Sequence, residues 1–494
     1  MRMLDLADEA ARTPQAGGKA APLARLLRAG FAVPDGFVVP AGVYRQAAVA
    51  LGLDRLPAVH PTEARRRLFA FDLPAPVIEG VGRALEALLH GADSEYVAVR
   101  SSAVHEDGAV ASGAGQHESV LAVRGTDQVC RAILQCWASL WSERAVEYRA
   151  LRERGGGDGA ADAPARAEPL ASGGAAGGMG VLVQRFVDAE VSGVMFTGDA
   201  SSTVDQSATA TATKAATVIE ASWGVGELLV AGRVAPDSWR VDESGILERR
   251  AGQKAQRSDR RNGRLVTGPV TAAEQGEWCL TDSQVQSLHA LGHDVSSVLG
   301  GPRDIEWALA DGRFWILQAR PVTAPLPELQ SRASAAGNTP VPERGSHPSA
   351  AGAPVPEQES RAHGTGTTAA TEPRPVTVPA GVGPVLVGVP ASPGVATGRA
   401  QVVRGPGDFA AVRPGDVLVC RETDPAWTPL FTIAAAVVTE TGGVLSHAAI
   451  VAREVGIPAV LAVPRAAEVL AGGARVRVEG TVGRVTITGP PVGA

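Results

Sequence analysis

The chain is poor in the features that would place it outside the cell or in a membrane. Its four cysteines, Cys130, Cys136, Cys279 and Cys420, are scattered, with neither metal-ligand spacing nor the density of a disulfide framework, which fits a reducing compartment. No apolar run reaches the roughly 18 residues that a membrane-spanning helix needs. The opening MRMLDLADEAARTPQAGGKA carries acidic residues and lacks the apolar centre of a signal peptide. Neither sign of charge dominates: 46 Lys and Arg against 52 Asp and Glu leave a formal charge of −6, so there is no electrostatic footprint for nucleic acid or an anionic membrane. The expectation is a soluble cytoplasmic protein with no nucleic-acid or membrane partner.

What is present is length and a changing pattern. At 494 residues the chain is too long for one core, and its length suggests about three domains. Periodicity fails over residues 324–383, which are rich in Pro, Ala, Ser, Gly and Thr and read as a flexible linker. As a coil of roughly 60 residues it would span about 40 Å, enough for a small domain beyond it to travel between sites. Shorter low-complexity stretches at 154–179 and 200–216 read as surface loops. Residues 1–323 mix helical spacing (LARLLRAG at 23–30, AILQCWASLWSERAVEYRALRER at 132–154) with strand-like runs (YVAVR, GVLVQRFV, RFWILQA), an α+β pattern. Residues 384–489 alternate short strands (GDVLVC, AAAVVTE, RVTIT) with helices, an α/β pattern.

Histidine is also scarce, with nine in the chain, yet one stands at a telling point in TETGGVLSHAAIVAREVGIPAV, residues 439–460. The apolar run before it is strand-like, and HAAIVAREV has helical spacing that Gly456 and Pro458 should stop. His447 therefore opens a helix, where free backbone N–H groups and the positive end of the helix dipole suit an anionic group such as a phosphate. Ser446 reads as the N-cap, and Gly442 and Gly443 permit close backbone approach. The plain alternative is a polar residue in a first helical turn.

Other polar stretches sit where packing alone would not put them. Gly17, Gly18 and Lys19 precede a helix, as in backbone-and-ammonium phosphate sites, although the full Walker spacing is missing and a Gly-Gly turn with a solvated lysine is the more common arrangement for such residues. Arg100 ends a strand before a Ser- and Gly-rich loop, where it would bind phosphate bidentately or form a structural ion pair. His105, Glu106, Asp107, His117 and Glu118 match no metal-ligand template. In DIEWALADGRFWILQARPVT, residues 304–323, two strands joined at Asp311-Gly312 would form a hairpin. Glu306 and Gln318 would then present oxygens from neighbouring strands, with Arg320 on the same face as Gln318. Such a set suits Mg²⁺ and a polyphosphate; a charged edge hairpin is the alternative.

Taken in order, seven stretches resemble the phosphohistidine dikinases, the family of phosphoenolpyruvate synthase, pyruvate phosphate dikinase and rifampin phosphotransferase. They are AGGKAAPLARLLRAGFAVPDGFVV, VAVRSSAVHED with GAGQ, CWASLWSERAVEYR, VLVQRFVDAEVSGVMFT, ASWGVGELLVAGRVAPDSW, DIEWALADGRFWILQARPVT and TETGGVLSHAAIVAREVGIPAV. The resemblance implies an α+β and α/β multidomain fold, with an ATP-grasp nucleotide-binding domain at 1–323, the linker at 324–383, and a small swivelling phosphohistidine domain at 384–489. It implies that Lys19 and Arg100 hold ATP phosphates, Gly115 and Ser119 line the nucleotide loop, and Gln184 faces the adenine side. Glu306 and Gln318 would bind Mg²⁺, Arg320 would clamp phosphate, and His447 would be the nucleophile. The family commonly has threonine where Ser119 stands.

In that family the histidine takes a pyrophosphoryl group from ATP and releases AMP; one phosphate then goes to water or phosphate and the other to an acceptor. Neither the pyruvate-binding barrel nor the rifampin-binding domain has a counterpart in this sequence. The expected function is an ATP-dependent phosphotransferase with an unidentified small-molecule acceptor. The alternatives are a phosphocarrier subunit with its acceptor domain on a separate polypeptide, and a non-catalytic nucleotide-sensing remnant.

Overall fold

The computed structural model describes residues 1–53, 60–103, 119–142, 178–198, 216–322 and 384–491. Gly115, the His105–Glu118 cluster, both low-complexity stretches except for a few residues at their ends, and the 324–383 segment lie outside the described residues.

Two antiparallel sheets organise the N-terminal region. The first runs in the order Leu4–Asp5, Gly36–Val39, Met179–Arg185, Tyr96–Ala103, Ser119–Arg124. Val97, Val99, Val181 and Val183 alternate onto one face, where they meet Tyr44, Leu68, Val81 and Trp137 from four helices. The helix expected over 132–154 is the helix Thr126–Ser139, which starts earlier; its expected C-terminal half, from residue 143, is outside the described part.

The second sheet has six strands in the order Arg313–Pro321, Arg303–Ala310, Val191–Phe196, Thr217–Trp223, Asp237–Asp242, Gly245–Arg250. Period-2 alternation gives it two unlike faces. Met195, Ile219, Trp239, Ile305, Trp307 and Ile316 pack against the helices Ala20–Arg28 and Asp282–Leu299. Burying such side chains contributes roughly 1.5–3 kcal/mol each. The hairpin predicted at Asp311-Gly312 is present, with both residues at positive φ (50° and 69°). Such a two-residue turn matches the right-handed twist of the strands it joins.

The C-terminal unit is an eight-stranded mixed sheet. Val395–Val402, Val417–Cys420, Ala436–Thr439 and Ala459–Leu461 form its parallel centre. Parallel neighbours need a crossover, and the helix His447–Val455 supplies it between Ala436–Thr439 and Ala459–Leu461. This topology puts the N-terminus of that helix at the carboxyl end of the strands, where open parallel sheets present their ligand sites. The helix ends at Gly456 in a left-handed cap, as the sequence predicted. Among the described residues, no helix is long and apolar enough to cross a membrane.

One buried ion pair anchors the six-stranded sheet. Lys254 Nζ lies 2.6 Å from Asp237 Oδ1 with both side chains fully buried, and Asp237 also accepts from the backbone N–H of Gly252 (2.8 Å) and Cys279 (3.0 Å). Removing one partner of such a pair strands the other charge. Asp237→Ala should therefore lower stability by about 3–5 kcal/mol, read from the urea midpoint of unfolding.

Candidate active site

The outer face of the six-stranded sheet carries the polar residues. Gln318 stands opposite Glu306, Glu306 opposite Val194, Val194 opposite Glu220, Glu220 opposite Ser238, and Ser238 opposite Arg250. Directly paired residues share a face, so this is one row across all six strands, with neighbours about 4.8 Å apart. In the next row Arg320 faces Asp304 and donates through Nε (2.8 Å) and Nη2 (2.7 Å) to Asp304 Oδ2. Burial pushes the Asp304 carboxyl up and the Arg320 guanidinium pulls it back. The expected phosphate clamp thus already holds a carboxylate that the sequence reading did not single out.

Three of the other expected residues come from the first sheet. Arg100 Nη1 is 3.6 Å from Glu306 Oε2, bridging the two sheets, and Ser119 stands directly opposite Arg100 at an exposed position. Gln184 is buried and its Nε2 donates to Pro34 O at 2.9 Å. Arg100 and Gln184 line a small open cleft together with Pro34, Phe186, Val187 and Ser192. Lys19 precedes the helix Ala20–Arg28, is buried, and donates from Nζ to Ser101 Oγ at 3.3 Å. The backbone before it hugs the first sheet: a Cβ on Gly17 would lie 1.8 Å from Ser102 O, so only glycine fits.

Glu306 and Gln318 offer one carboxylate and one amide oxygen from adjacent strands. Mg²⁺ is commonly held by one or two carboxylates with substrate phosphates completing its shell, so this donor set fits the ion. Among the described residues no group of three or more His, Cys, Asp or Glu is arranged to hold a metal.

His447 is the first residue of its helix and is buried. Its Nδ1 lies 3.1 Å from Thr423 Oγ1, and the Phe431 ring meets the imidazole edge-on at 6.2 Å between centroids. When Nδ1–H donates to Thr423, the lone pair is left on Nε2, the state a nucleophilic imidazole needs. Ser446 occupies the N-cap position, but its side chain makes no cap bond; Oγ donates instead to Gly443 O at 2.8 Å. Side-chain capping expected of Ser446 is therefore not observed. The hydroxyl ties the preceding turn together.

The two regions are docked through the loop before His447. Backbone N–H groups of Val444 and Leu445 donate to the two carboxylate oxygens of Glu220 at 2.7 and 3.1 Å. Thr441 Oγ1 donates to Gly232 O at 2.6 Å, and Arg233 pairs with Glu422 at 3.3 Å. Val194, Phe196, Leu228, Leu229 and Val234 share one apolar cluster with Val444, Leu445, Ala448 and Phe431. The close approach that the Gly442-Gly443 pair predicted is real, but its object is a carboxylate: a Cβ on Gly443 would lie 2.2 Å from Glu220 Oε1.

Family models match this arrangement in both parts. The AMP/ATP-binding domain of pyruvate phosphate dikinase matches residues 13–336, and the mobile domain of PEP-utilising enzymes matches residues 412–483. The chain belongs to the phosphoenolpyruvate synthase and pyruvate phosphate dikinase family. It is 32% identical over 491 residues to a probable phosphoenolpyruvate synthase of Methanothermobacter thermautotrophicus, covering 95% of this chain and 61% of that protein. Identity is 34% over 497 residues to the phosphoenolpyruvate synthase of Pseudomonas aeruginosa (94% and 54%) and 33% over 440 residues to that of Pyrococcus furiosus (86% and 45%). The chain thus spans about half to three-fifths of these relatives' length.

Within this family member, sequence reasoning passed over Asp304, Glu220, Thr423 and Arg453. Glu220 had a signal, a lone acid inside the strand-like TVIEASW. Thr423 had none, because it reaches His447 only through the fold. Thr423→Val should relax the tautomer preference of His447 from Nδ1–H toward a mixture, visible in the ¹⁵N shifts of the labelled imidazole.

Proposed function

We propose that the protein is an ATP-dependent, dikinase-type phosphotransferase built from an ATP-grasp domain and a swivelling histidine domain. The observation that carries this reading is the position of His447: a histidine at a helix N-terminus, docked onto the sheet face that bears Glu306 and Gln318. The family membership and the relatives named phosphoenolpyruvate synthase support it.

In this reading ATP lies in the cleft between the two sheets, with Gln184 on the adenine side. Lys19, Arg100 and Ser119, together with Gly115 outside the described residues, surround the phosphates. Arg320, held in place by Asp304, adds positive charge to the same face. Glu306 and Gln318 would hold Mg²⁺, which when bound supplies charge neutralisation for the polyphosphate. The lone pair of His447 forms a nitrogen–phosphorus bond as the bond from the β-phosphorus to the AMP oxygen breaks, so AMP departs with the electron pair. Thr423 keeps the other ring nitrogen protonated. A small-molecule acceptor then takes one phosphoryl group, and water or phosphate takes the other. Pyruvate is the first acceptor to test, given the names of the relatives.

Incubation with ATP and Mg²⁺ should produce an acid-labile phosphohistidine at residue 447 and AMP as the stoichiometric nucleotide. His447→Ala should abolish labelling and retain ATP binding, since the two functions lie on separate domains. Stoichiometric ADP, or persistent labelling of that variant, would overturn the dikinase reading.

The same assay tests the metal pair. Glu306→Ala and Gln318→Ala should each slow labelling by about 100-fold or more, because contacts to phosphate and metal act mainly in the transition state. Unchanged rates at limiting Mg²⁺ would remove both residues from the site.

A further inference from the structure

Glu220 is the least expected group in the molecule. It is fully buried on a strand whose neighbours are apolar, and its two oxygens are turned out of its own domain onto backbone N–H groups of the next. A carboxylate in such surroundings persists only where donors and positive charge replace its water. Burial pushes its carboxyl up, while the Leu445 and Val444 N–H groups, Arg250 and Arg453 act in the opposite direction. Arg453 belongs to the helix that His447 opens. Its Nη1 donates to Val444 O at 2.8 Å and Ala391 O at 2.9 Å, so one guanidinium braces the very loop that Glu220 grips. Arg453 Nε and Nη2 are buried with no hydrogen-bond partner among the described residues, leaving its charge to act through space.

The register gives this grip a direction. Glu220 stands in the same cross-strand row as Glu306 and Gln318, two and three strands away, or roughly 10 and 15 Å. A loop seated on Glu220 is therefore fixed in register with the metal pair, and His447 follows Leu445 by two residues.

We propose that Glu220 is a positioning residue that latches the His447 loop onto the face carrying Glu306 and Gln318. It acts on the phosphorylation step and not on ATP binding. The latch also consumes the two loop N–H groups that a phosphate on His447 would otherwise attract, so the glycine turn serves docking in this state. That His447 is phosphorylated rests on the function proposed above; that Glu220 holds the loop does not.

Two variants of the full chain break the contact from opposite sides. Glu220→Ala removes the acceptor. Gly443→Ala places a methyl against the carboxylate, and it lies in the other domain at a position without positive φ, so it keeps the test open if Glu220→Ala fails to fold. Hydrogen exchange of the Val444 and Leu445 amides in the nucleotide-free protein should speed up about tenfold or more in each, the loss expected for bonds to a charged acceptor. Peptides from the two sheets should exchange as in the wild type. The double variant should be no faster than the faster single, because both remove one interaction. In single-turnover labelling at saturating ATP, each variant should be slowed about tenfold or more with the ATP dissociation constant unchanged. Wild-type exchange at both amides in both variants would overturn the latch, as would labelling at the wild-type rate once the amides are exposed. If the wild type takes no label at all, the functional reading falls, and amide exchange still decides whether Glu220 holds the loop.

Discussion

Two backbone N–H groups on one buried carboxylate decide where the histidine stands. Val444 and Leu445 reach Glu220 at 2.7 and 3.1 Å, and the rest of the docking contact is arranged around them. The Gly442-Gly443 turn exists to let the loop come that close. Arg453 braces the loop from behind, and the apolar cluster shared by Val194, Phe196, Val444 and Leu445 excludes water around it. Without water to compete, a charge-assisted bond keeps much of its electrostatic strength. The same dryness makes the carboxylate costly when the loop is absent. A contact of this kind is suited to two discrete positions and poorly suited to gradual drift.

The six-stranded sheet divides its work by face. Side chains at alternate positions go to the core or to the docking face, so strands that hold the fold together also set the spacing of Gln318, Glu306, Glu220 and Arg250. Helices Ala20–Arg28 and Asp282–Leu299 grip the core side, which leaves the outer row on a rigid platform. Arg100 ties that platform to the first sheet through Glu306, and the cleft lies along the seam.

Much of this was legible in the sequence. The helix opened by His447 and closed by Gly456 and the hairpin at Asp311-Gly312 follow from local spacing and turn chemistry, which short segments carry in full, whereas the direct opposition of Glu306 and Gln318 needs an extra residue in the strand that the turn does not announce. What local spacing cannot carry is partnership at a distance. Glu220 meets Val444 across 224 positions, and Thr423 meets His447 across 24, so neither could be read before the fold brought them together. Ser446 misled for a related reason. Its hydroxyl has a carbonyl nearer than the helix amides it was expected to cap. Arg320 lies on the face that alternation predicts, but its guanidinium is shared with Asp304, which nothing in the local spacing marks out.

The irregular step in the hairpin bears on how this chain tolerates change. Pairing moves from Glu306–Gln318 directly to Trp307–Ile316, so Leu317 is one residue without an opposite number, and the N–H of Ile316 turns to Ala32 O at 2.8 Å. Strict alternation would put Ile316 and Gln318 on one side; the extra residue reverses the parity, sending the isoleucine to the core and the glutamine to the outer face. The strand therefore carries two reading frames joined at Leu317. Loss of that single residue would leave regular alternation, with Gln318 next to Ile316 and still opposite Glu306, whereas a regular strand that kept Leu317 would set it opposite Glu306 and turn Gln318 and Arg320 toward hydrocarbon. Backbone shape, at this position, is as much a part of the site as chemistry.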